Sequence, residues 1–326
     1  MQQKRFFRSR EMTECASPII DEIRRLVMQY AADKTGPQIE SPIDGLFFSV
    51  RYGSTGTCTC SVYEPSVALM LQGRKMTTAG TRVYTYGRGD LLITSMDVPT
   101  TYQVLEASPD KPFVGIGIRI DAVVMTDLIR QLPLEDDAAD DASVRAITLC
   151  RAEAALEEDF LRLVQILDSP RECKFRAPLI IRDIYSLLLL GEHGESIRRI
   201  FTNNSRSSRI SQAVGWLRDN YREPLSVEAL ADRVHMSVSS FHRHFKSVTS
   251  VSPLQFQKRL RLSEAQRLML TEGKDVATAA YEVGYASPTQ FSREYKHAFG
   301  EAPGRDIEAR RRLVECPVCC QAPQAA

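Results

Sequence analysis

A segment near the C-terminus combines aromatic residues with residue types that can hydrogen-bond nucleic-acid bases. Phe241 and Phe245 are four residues apart, so both fall on one face of a predicted helix. The opposite face carries four polar residues, Ser239, His242, Arg243 and Lys246. Arginine can donate two hydrogen bonds to guanine O6 and N7, and lysine suits phosphate oxygens. We therefore predict that the first three polar residues read base edges and that Lys246 binds phosphate.

A second segment repeats this arrangement further along the chain. The offset is 50 residues from Phe241 to Phe291 and 49 residues from Val234 to Val283. The outward-facing residues of this copy are Thr289, Gln290, Arg293 and Lys296. Glutamine can bind adenine N6 and N7 with two hydrogen bonds, so the first three are predicted to read bases and Lys296 to bind phosphate.

Each copy is predicted to be a helix-turn-helix unit, whose second helix enters a DNA major groove. Matched phenylalanine, arginine, lysine and proline positions in both copies disfavour the alternative that the polar residues are only a solvated helix face. Two units in one chain can read two successive grooves without a partner subunit. The predicted partner is double-stranded DNA.

Local capping signals indicate where the helices of these units begin and end. We predict helices at 210–221, 227–234, 253–270 and 276–283. Ser226 and Asp275 are the predicted N-caps of the second and fourth of these, and Ser237 is the predicted N-cap of the helix that carries Phe241 and Phe245. The long helix at 253–270 would hold the units about one DNA turn, ~34 Å, apart. Ser287 and Gln290 are spaced as a capping box. If Gly284 has φ > 0, a valine there should disrupt the second turn.

These residues resemble a known family. Residues 206–312 are similar to the AraC/XylS-type DNA-binding domain, through matches in the first unit at Ala231, Val234, Phe241, Arg243, Phe245, Lys246 and Pro253. The matches in the second unit are Ala280, Val283, Gly284, Phe291, Ser292, Arg293, Lys296, Phe299, Gly300 and Pro303. The resemblance implies a transcription regulator, more often an activator, that works with RNA polymerase. Val238 and Ser239 are small where some relatives carry bulky residues, so the first unit is expected to read fewer bases.

The N-terminal part has a different sequence pattern. Short β-rich runs separated by Gly, Pro and Asp occur at 46–52, 67–72, 81–86, 91–94, 101–105 and 113–120. Such spacing is typical of an antiparallel sandwich or barrel. Residues 63–66, 71–75 and 83–87 resemble an N-terminal domain found in a subgroup of the same family, which implies a cupin-like barrel and a helical dimer or relay surface. The expected fold class is α+β.

Helical patterns flank the predicted strands. They occur at 18–32, 121–132, 145–167 and 178–190, and the last two either cover the barrel or pack against a second copy. We divide the chain into an N-terminal arm and helix (1–40), an effector-sensing and dimerisation domain (41–200), a linker (201–209), the DNA-binding domain (210–312) and a tail (313–326).

Charge is distributed unevenly between these parts. Residues 206–315 carry 18 Lys and Arg against 13 Asp and Glu, whereas the rest carries 24 against 28. A basic C-terminal part fits a module that binds a polyanion. The chain has no apolar run of membrane-spanning length and no secretory signal pattern, so we expect a cytoplasmic protein without a membrane partner.

The barrel offers little for catalysis. The first histidine of the chain is His193, outside the strand region, so a cupin-type metal site is not expected and the protein is not expected to be an enzyme. No cofactor is predicted. Cys58 and Cys60, two apart on a strand, could meet a soft metal or an electrophile, or could be ordinary thiols without a basic neighbour. Cys150 and Cys173 are predicted to be buried in helices, and the cysteines at 316–320 to be a tail cluster.

Three hypotheses follow. The first is a DNA-binding regulator whose barrel senses a small molecule or reactive compound, either as a monomer or as a homodimer. The second is a cupin-type enzyme with an appended DNA-binding module, against which the missing histidine cluster argues. The third is a DNA binder that needs no effector.

Overall fold

The computed structural model describes residues 17–34, 36, 38–55, 58–133, 144–202 and 205–315. The ten strands within these ranges are β1 (Ile39–Glu40), β2 (Leu46–Arg51), β3 (Thr59–Tyr63), β4 (Ser66–Gln72), β5 (Arg74–Ala79), β6 (Arg82–Gly87), β7 (Asp90–Thr94), β8 (Val98–Glu106), β9 (Phe113–Arg119) and β10 (Ile147–Arg151). The helices of the N-terminal part are α1 (Pro18–Ala31), α2 (Ala122–Ile129), α3 (Ala154–Gln165), α4 (Pro170–Phe175), α5 (Ala177–Leu190) and α6 (Gly194–Phe201). The C-terminal helices are α7 (Arg206–Asp219), α8 (Val227–Arg233), α9 (Val238–Thr249), α10 (Pro253–Thr271), α11 (Val276–Glu282), α12 (Pro288–Phe299) and α13 (Pro303–Glu315).

The strands form two antiparallel sheets. One has six strands in the order β1-β2-β9-β4-β7-β10, and the other has four in the order β3-β8-β5-β6. The predicted α+β class, with antiparallel strands followed by a helical C-terminal part, is confirmed. Closure of the strands into one barrel is not observed, because in the described part of the chain no backbone ladder joins a strand of one sheet to a strand of the other.

All six predicted strands are present, with boundaries that shift by a few residues. Strands β1, β5 and β10 were not among the predicted runs, and β3 was assumed only in placing Cys58 and Cys60 on one strand. β1 has two residues and β5 is largely polar, although each pairs with the next strand along the chain, whereas β3 and β10 pair with distant strands. The turn at residues 87–90 joins β6 to β7 as expected.

The predicted helix at 145–167 is wrong in its first part. Residues 147–151 form β10, which pairs with β7 and places Leu149 opposite Leu92. Pairing at the sheet edge satisfies the backbone there, and the helix α3 starts only at Ala154. Cys150 therefore lies half-buried on a strand instead of buried in a helix, whereas Cys173 is buried as predicted.

Helices α1, α3 and α5 cover the six-stranded sheet. Their buried residues share one apolar core with those of the sheet: Ile23, Val27, Leu156, Phe160, Leu163, Ile180 and Ile184 with Leu69, Leu91, Ile116 and Ile118. Ser17 caps α1 by accepting a hydrogen bond from Ile20 N. Of the two alternatives for the helices beyond residue 145, the structure shows that they pack against the sheet.

A second core joins the sheets to the first helix-turn-helix unit. It includes Ala79, Val98, Ala146 and Ile147 from the N-terminal part, and Ile210, Leu217, Phe241, Phe245, Val248 and Phe256 from the C-terminal part. The second unit has a core of its own, built on α10, α11 and α12. The first unit is therefore continuous with the sheet domain, whereas the second is packed more independently.

The junction between the two parts is short. Helix α6 ends at Phe201 and α7 starts at Arg206, so residues 206–209 of the predicted linker are helical. Ser205 caps α7 by accepting a hydrogen bond from Ser208 N. The predicted tail starts at residue 313, but residues 313–315 belong to α13, and the rest of the tail, with its cysteines, lies outside the described residues. The acidic residues at 135–141 also lie outside them. No described helix combines the length and apolarity that crossing a membrane requires.

Candidate DNA interface

Helix α9 is the predicted reading helix of the first unit. Ser237 caps it by accepting a hydrogen bond from Ser240 N, and Phe241 and Phe245 are fully buried with ring centroids 5.5 Å apart. Burying this pair fixes the rotation of the helix, so the opposite face points outward. That face exposes Ser239, His242, Arg243 and Lys246, the four residues predicted for DNA contact.

Helix α12 repeats this construction in the second unit. Phe291 and Tyr295 are fully buried, and the outward face exposes Thr289, Gln290, Arg293 and Lys296. Ser287 caps the helix by accepting a hydrogen bond from Gln290 N. The reciprocal half of the predicted capping box is absent, because the Gln290 amide donates to Glu294 Oε1 at 3.2 Å instead. A complete capping box occurs at the start of α10, between Ser252 and Gln255.

The turns of the two units share a backbone hydrogen bond but differ in the residue that has a positive φ. Met236 N donates to Ala231 O, and the equivalent Tyr285 N donates to Ala280 O, both at 3.0 Å. Between them, His235 has φ 54° and Gly284 has φ 89°. The sequence prediction of a positive φ at Gly284 is confirmed, while the first unit accepts the same conformation without glycine.

Helix α10 connects the units through two polar side chains that sequence analysis missed, a half-buried arginine and a buried glutamine. The Arg261 guanidinium donates to four carbonyl oxygens, those of Tyr221, Arg222, Glu223 and Gly284, at 2.6–3.0 Å. Gln257, one turn earlier, donates to Tyr221 O and Glu223 O. A single side chain thus joins the end of the first unit's leading helix to the turn of the second unit. Polar residues at helical spacing on the inner face of α10 were the available signal.

We expect Arg261→Met to destabilise this junction by about 2–4 kcal/mol, because it leaves several inward-facing carbonyl groups without a donor. Arg267→Met is the matched control, since Arg267 lies on the same helix but pairs only at the surface with Glu264 and Glu272. It should cost about 1 kcal/mol or less. Urea unfolding followed by circular dichroism compares the two variants. Equal costs would contradict the role given to Arg261.

Four cations on the reading helices are left unpaired by the protein. Arg243, Lys246, Arg293 and Lys296 have no carboxylate partner within the described part of the chain, whereas the exposed Arg25, Arg176 and Arg267 each pair with a glutamate. A guanidinium or ammonium that is free on an exposed helix face is available to an incoming polyanion. Both faces therefore have the charge that DNA contact requires.

Lys296→Ala tests the phosphate role of its side chain. We expect the slope of log affinity against log salt to fall by about 1, with little change in base preference. Titrations of one duplex and of its single-base variants at several salt concentrations measure both quantities. A change of preference at a single base pair would mean that Lys296 reads bases instead.

The second unit is also bonded to the sheet domain. Gln266 Nε2 and Tyr295 Oη both donate to Asp306 Oδ2, at 2.9 and 2.6 Å, and Arg310 Nε donates to the same carboxylate. We call these four residues the Asp306 network. The remaining Arg310 nitrogens donate to Thr59 Oγ1 and to Cys58 O, and Gln266 Oε1 accepts from Cys60 N. The network thus links α12 and α13 to the start of β3, and Arg310 and Thr59 are 251 residues apart in the sequence.

The two cysteines predicted to sense a reactive compound lie at this contact. Cys58 is exposed just before β3, and Cys60 is half-buried on β3. Burial raises the pKa of Cys60 to about 12, although Arg310 nearby opposes the shift. The expectation that no basic residue lies near these cysteines is wrong, because Arg310 reaches them from α13. A protonated thiol is a poor nucleophile, which applies to Cys60 at neutral pH, and Cys58 is the more exposed of the two thiols.

A cleft of about 690 Å³ lies beside this contact. Among its lining residues are Thr100 of β8, Arg259 of α10, and Arg293 and Phe299 of α12. One of the predicted base-reading residues, Arg293, therefore faces the space between α12 and the four-stranded sheet. Within the described ranges, no three His, Cys, Asp or Glu side chains are grouped as a metal site.

Comparison with known proteins agrees with this architecture. Residues 42–196 match the AraC-type transcriptional regulator N-terminus, and residues 230–309 match a helix-turn-helix domain. The transcriptional activator RhaS of Pectobacterium carotovorum is 34% identical over 104 residues, which are 31% of this chain and 37% of RhaS. RhaS of Escherichia fergusonii is 32% identical over 109 residues, 33% of this chain and 39% of that protein. The matched segment therefore spans less than two fifths of the length of these curated relatives.

The whole fold also has a solved counterpart. Apo ToxT from Vibrio cholerae superimposes with a TM-score of 0.54 and 11% identity, over 82% of this chain and 99% of ToxT. Both the sheet domain and the pair of helix-turn-helix units are thus found together in a known structure. With matches to the family's N-terminal domain and to a helix-turn-helix domain, the chain belongs to the AraC family of transcriptional regulators.

Proposed function

We propose that the protein is a sequence-specific transcription regulator in which α9 and α12 read successive major grooves of DNA. The observation that carries the proposal is the pair of matched helices, each with a buried aromatic pair on one face and unpaired cations on the other. By this proposal Ser239, His242, Arg243, Thr289, Gln290 and Arg293 read bases, and Lys246 and Lys296 bind phosphates. Selection of bound duplexes from a random library tests it. Enrichment of one bipartite motif is expected, and recovery of unrelated sequences would contradict it.

We infer that regulation is activation through RNA polymerase. The curated relatives named above are activators, and the resemblance lies in the DNA-binding part. Transcription in vitro from a promoter carrying the selected motif should rise when the protein is added to purified polymerase. A fall in transcript would identify a repressor.

We propose that the sheet domain senses a small molecule and transmits its presence to the second unit. A cavity of about 430 Å³ lies between the sheets, and Tyr63 of β3 lines it. The same strand begins at the Asp306 network, so a ligand that displaces β3 changes the support of α12. Two observations favour this route: β3 is short, and its first residues are bonded directly to α10 and α13.

Arg310→Lys tests this connection. Lysine keeps a positive charge beside Asp306 but cannot also reach Thr59 and Cys58, so β3 should loosen while α12 stays folded. We expect amide hydrogen exchange in residues 59–63 to accelerate about fivefold or more, which corresponds to the loss of one or two hydrogen bonds. Arg311→Lys is the control, because Arg311 donates only within the DNA-binding part, to Met269 O. Unchanged exchange in β3 would argue against the route.

We propose that dimerisation, if it accompanies regulation, uses the helices of the sheet domain. Phe175 is the last residue of α4 and Leu179 lies in the first turn of α5, and each is 67% exposed. Sedimentation equilibrium of the full chain and of its Leu179→Glu variant measures the oligomeric state of each. A monomer at micromolar concentration would exclude it.

A further inference from the structure

The cavity between the two sheets contains a lysine with an unusual environment. Lys75 is on β5, and its Nζ lies 4.0 Å from the ring centroid of Tyr102, 5.3 Å from that of Tyr63 and 5.7 Å from that of Phe113. These contacts place the ammonium among three aromatic rings in the interior of the domain. Lys75 belongs to a sequence motif, residues 71–75, to which DNA binding gives no role.

No carboxylate of the described residues pairs with Lys75. The other charged residues that line the cavity are Arg51, Glu64 and Arg119. Arg119 is paired with Glu40 and Glu64, and Arg51 donates to the carbonyl oxygens of Gly36 and Val50. Aromatic faces attract a cation but supply no negative charge, and a partly desolvated ammonium without a counter-ion is unfavourable. The cavity therefore contains a positive charge, that of Lys75, that no carboxylate of the described residues neutralises through an ion pair.

Hydroxyl groups lie next to the ammonium. Thr77 Oγ1 is 2.7 Å from Tyr86 Oη and 3.1 Å from Tyr63 Oη, and all three side chains belong to one hydrogen-bonded cluster. Burial would raise the pKa of Tyr63, but the charge of Lys75 and hydrogen bonds to Lys75, Thr77 and Tyr86 lower it overall. This cluster can donate a hydrogen bond to an oxygen that also accepts from Lys75.

Part of the remaining lining is polar, including Ser49, Ser61, Ser66 and Thr94, and part is apolar. Ala68, Met70, Leu92, Phe113 and Ile116 come from the facing sheet. A cavity of about 430 Å³ is within the ordinary range for small-molecule sites. An ammonium and a hydroxyl cluster beside an apolar wall suit a ligand with a negative group and a compact carbon skeleton.

We propose that this cavity binds a small organic carboxylate, whose oxygens accept hydrogen bonds from Lys75 and the Tyr63–Thr77–Tyr86 cluster. This inference deepens the sensing function proposed above and depends on it. The ligand replaces the missing counter-ion of Lys75. Because Tyr63 is the last residue of β3, the carboxylate would sit at one end of the strand whose other end contacts the DNA-binding part.

Shape-matched acids and amides test the charge requirement. The probes are octanoate with octanamide and cinnamate with cinnamamide, titrated calorimetrically into the full-length protein, its Lys75→Met variant and Lys111→Met. Lys111 is an exposed surface lysine and serves as the control. Charge-assisted hydrogen bonds predict that at least one acid binds the wild type about tenfold or more tighter than its amide. Lys111→Met should keep this preference and Lys75→Met should lose it.

Several outcomes would overturn the proposal: equal binding of acids and amides, a preference that survives Lys75→Met, or no binding of either acid. The wild-type comparison stands even if Lys75→Met fails to fold. DNA selection with the same preparation separates the two claims. If duplex binding is intact and acids do not bind, the carboxylate site is wrong and the DNA-binding function stands. If acids bind but no motif is enriched, the regulator proposal fails instead.

Discussion

Gly284→Ala is expected to destabilise the second helix-turn-helix unit by about 3 kcal/mol or more and to abolish specific DNA binding. Two effects add. A side chain at φ 89° is strained, and a Cβ at this position would lie 2.3 Å from Arg222 O and 3.0 Å from Arg222 Cα. These are backbone atoms that Arg261 also contacts, so the neighbour cannot move without disturbing the junction between the units.

Two substitutions isolate the contribution of the clash. Gly273 has φ 69°, and a Cβ added there would have no atom within 4 Å, so Gly273→Ala should cost only backbone strain, about 1 kcal/mol. His235→Gly, at the equivalent turn of the first unit, should be neutral or stabilising by up to about 1 kcal/mol. Thermal unfolding by circular dichroism compares them, with Trp216 fluorescence reporting on the first unit. If Gly284→Ala costs no more than Gly273→Ala, the close approach to Arg222 is unimportant.

Arg293→Ala is expected to weaken binding to the selected site by about 1–3 kcal/mol, which is roughly 5- to 150-fold, and to relax preference at one base pair. The reason is that a guanidinium can make two hydrogen bonds to a guanine edge, which alanine cannot replace. Because Arg293 makes no hydrogen bond or ion pair with other described residues, protein stability should be nearly unchanged. Competition titrations against all single-base variants of the site provide the measurement.

The same titrations with Lys296→Ala supply the comparison. Lys296 lies on the same exposed face of α12, about one helical turn after Arg293, and its loss should weaken all sequences alike. If Arg293→Ala also weakens every duplex equally, Arg293 contacts phosphate and the assignment of base readers in the second unit must be revised.

The C-terminal part was predictable because its signals are local. Serine and aspartate caps, aromatic pairs four residues apart and a glycine at a left-handed turn each act within one or two helical turns. The helices found at α8, α10 and α11 accordingly begin at the predicted residues. The side chain of Gln290 was mispredicted, since its choice between Ser287 and Glu294 depends on how Glu294 is held by Lys258 and Tyr285.

The N-terminal part was less predictable because its pairing is distant. Strand β10 pairs with a strand more than fifty residues earlier, and that pairing overrides an apolar pattern that resembles a helix. The contacts of Arg310 with Thr59 and Cys58 have no sequence signature at all, since each partner is an ordinary polar group. The environment of Lys75 could not be predicted either, because the three aromatic rings around its ammonium come from three different strands.

The rigid connection of α9 and α12 by α10 and Arg261 is the feature on which the proposed reading of two grooves depends most. Insertions between the two halves of the selected DNA motif test it directly, using the full-length protein. If the units are held at a fixed distance, an insertion of about 5 base pairs and an insertion of about 10 base pairs should each reduce affinity to the level of a single half-site. Rigidly connected units can accommodate neither the changed helical phase nor the added length. Retained high affinity with the longer insertion, a full helical turn, would show that the units move independently and would contradict the account.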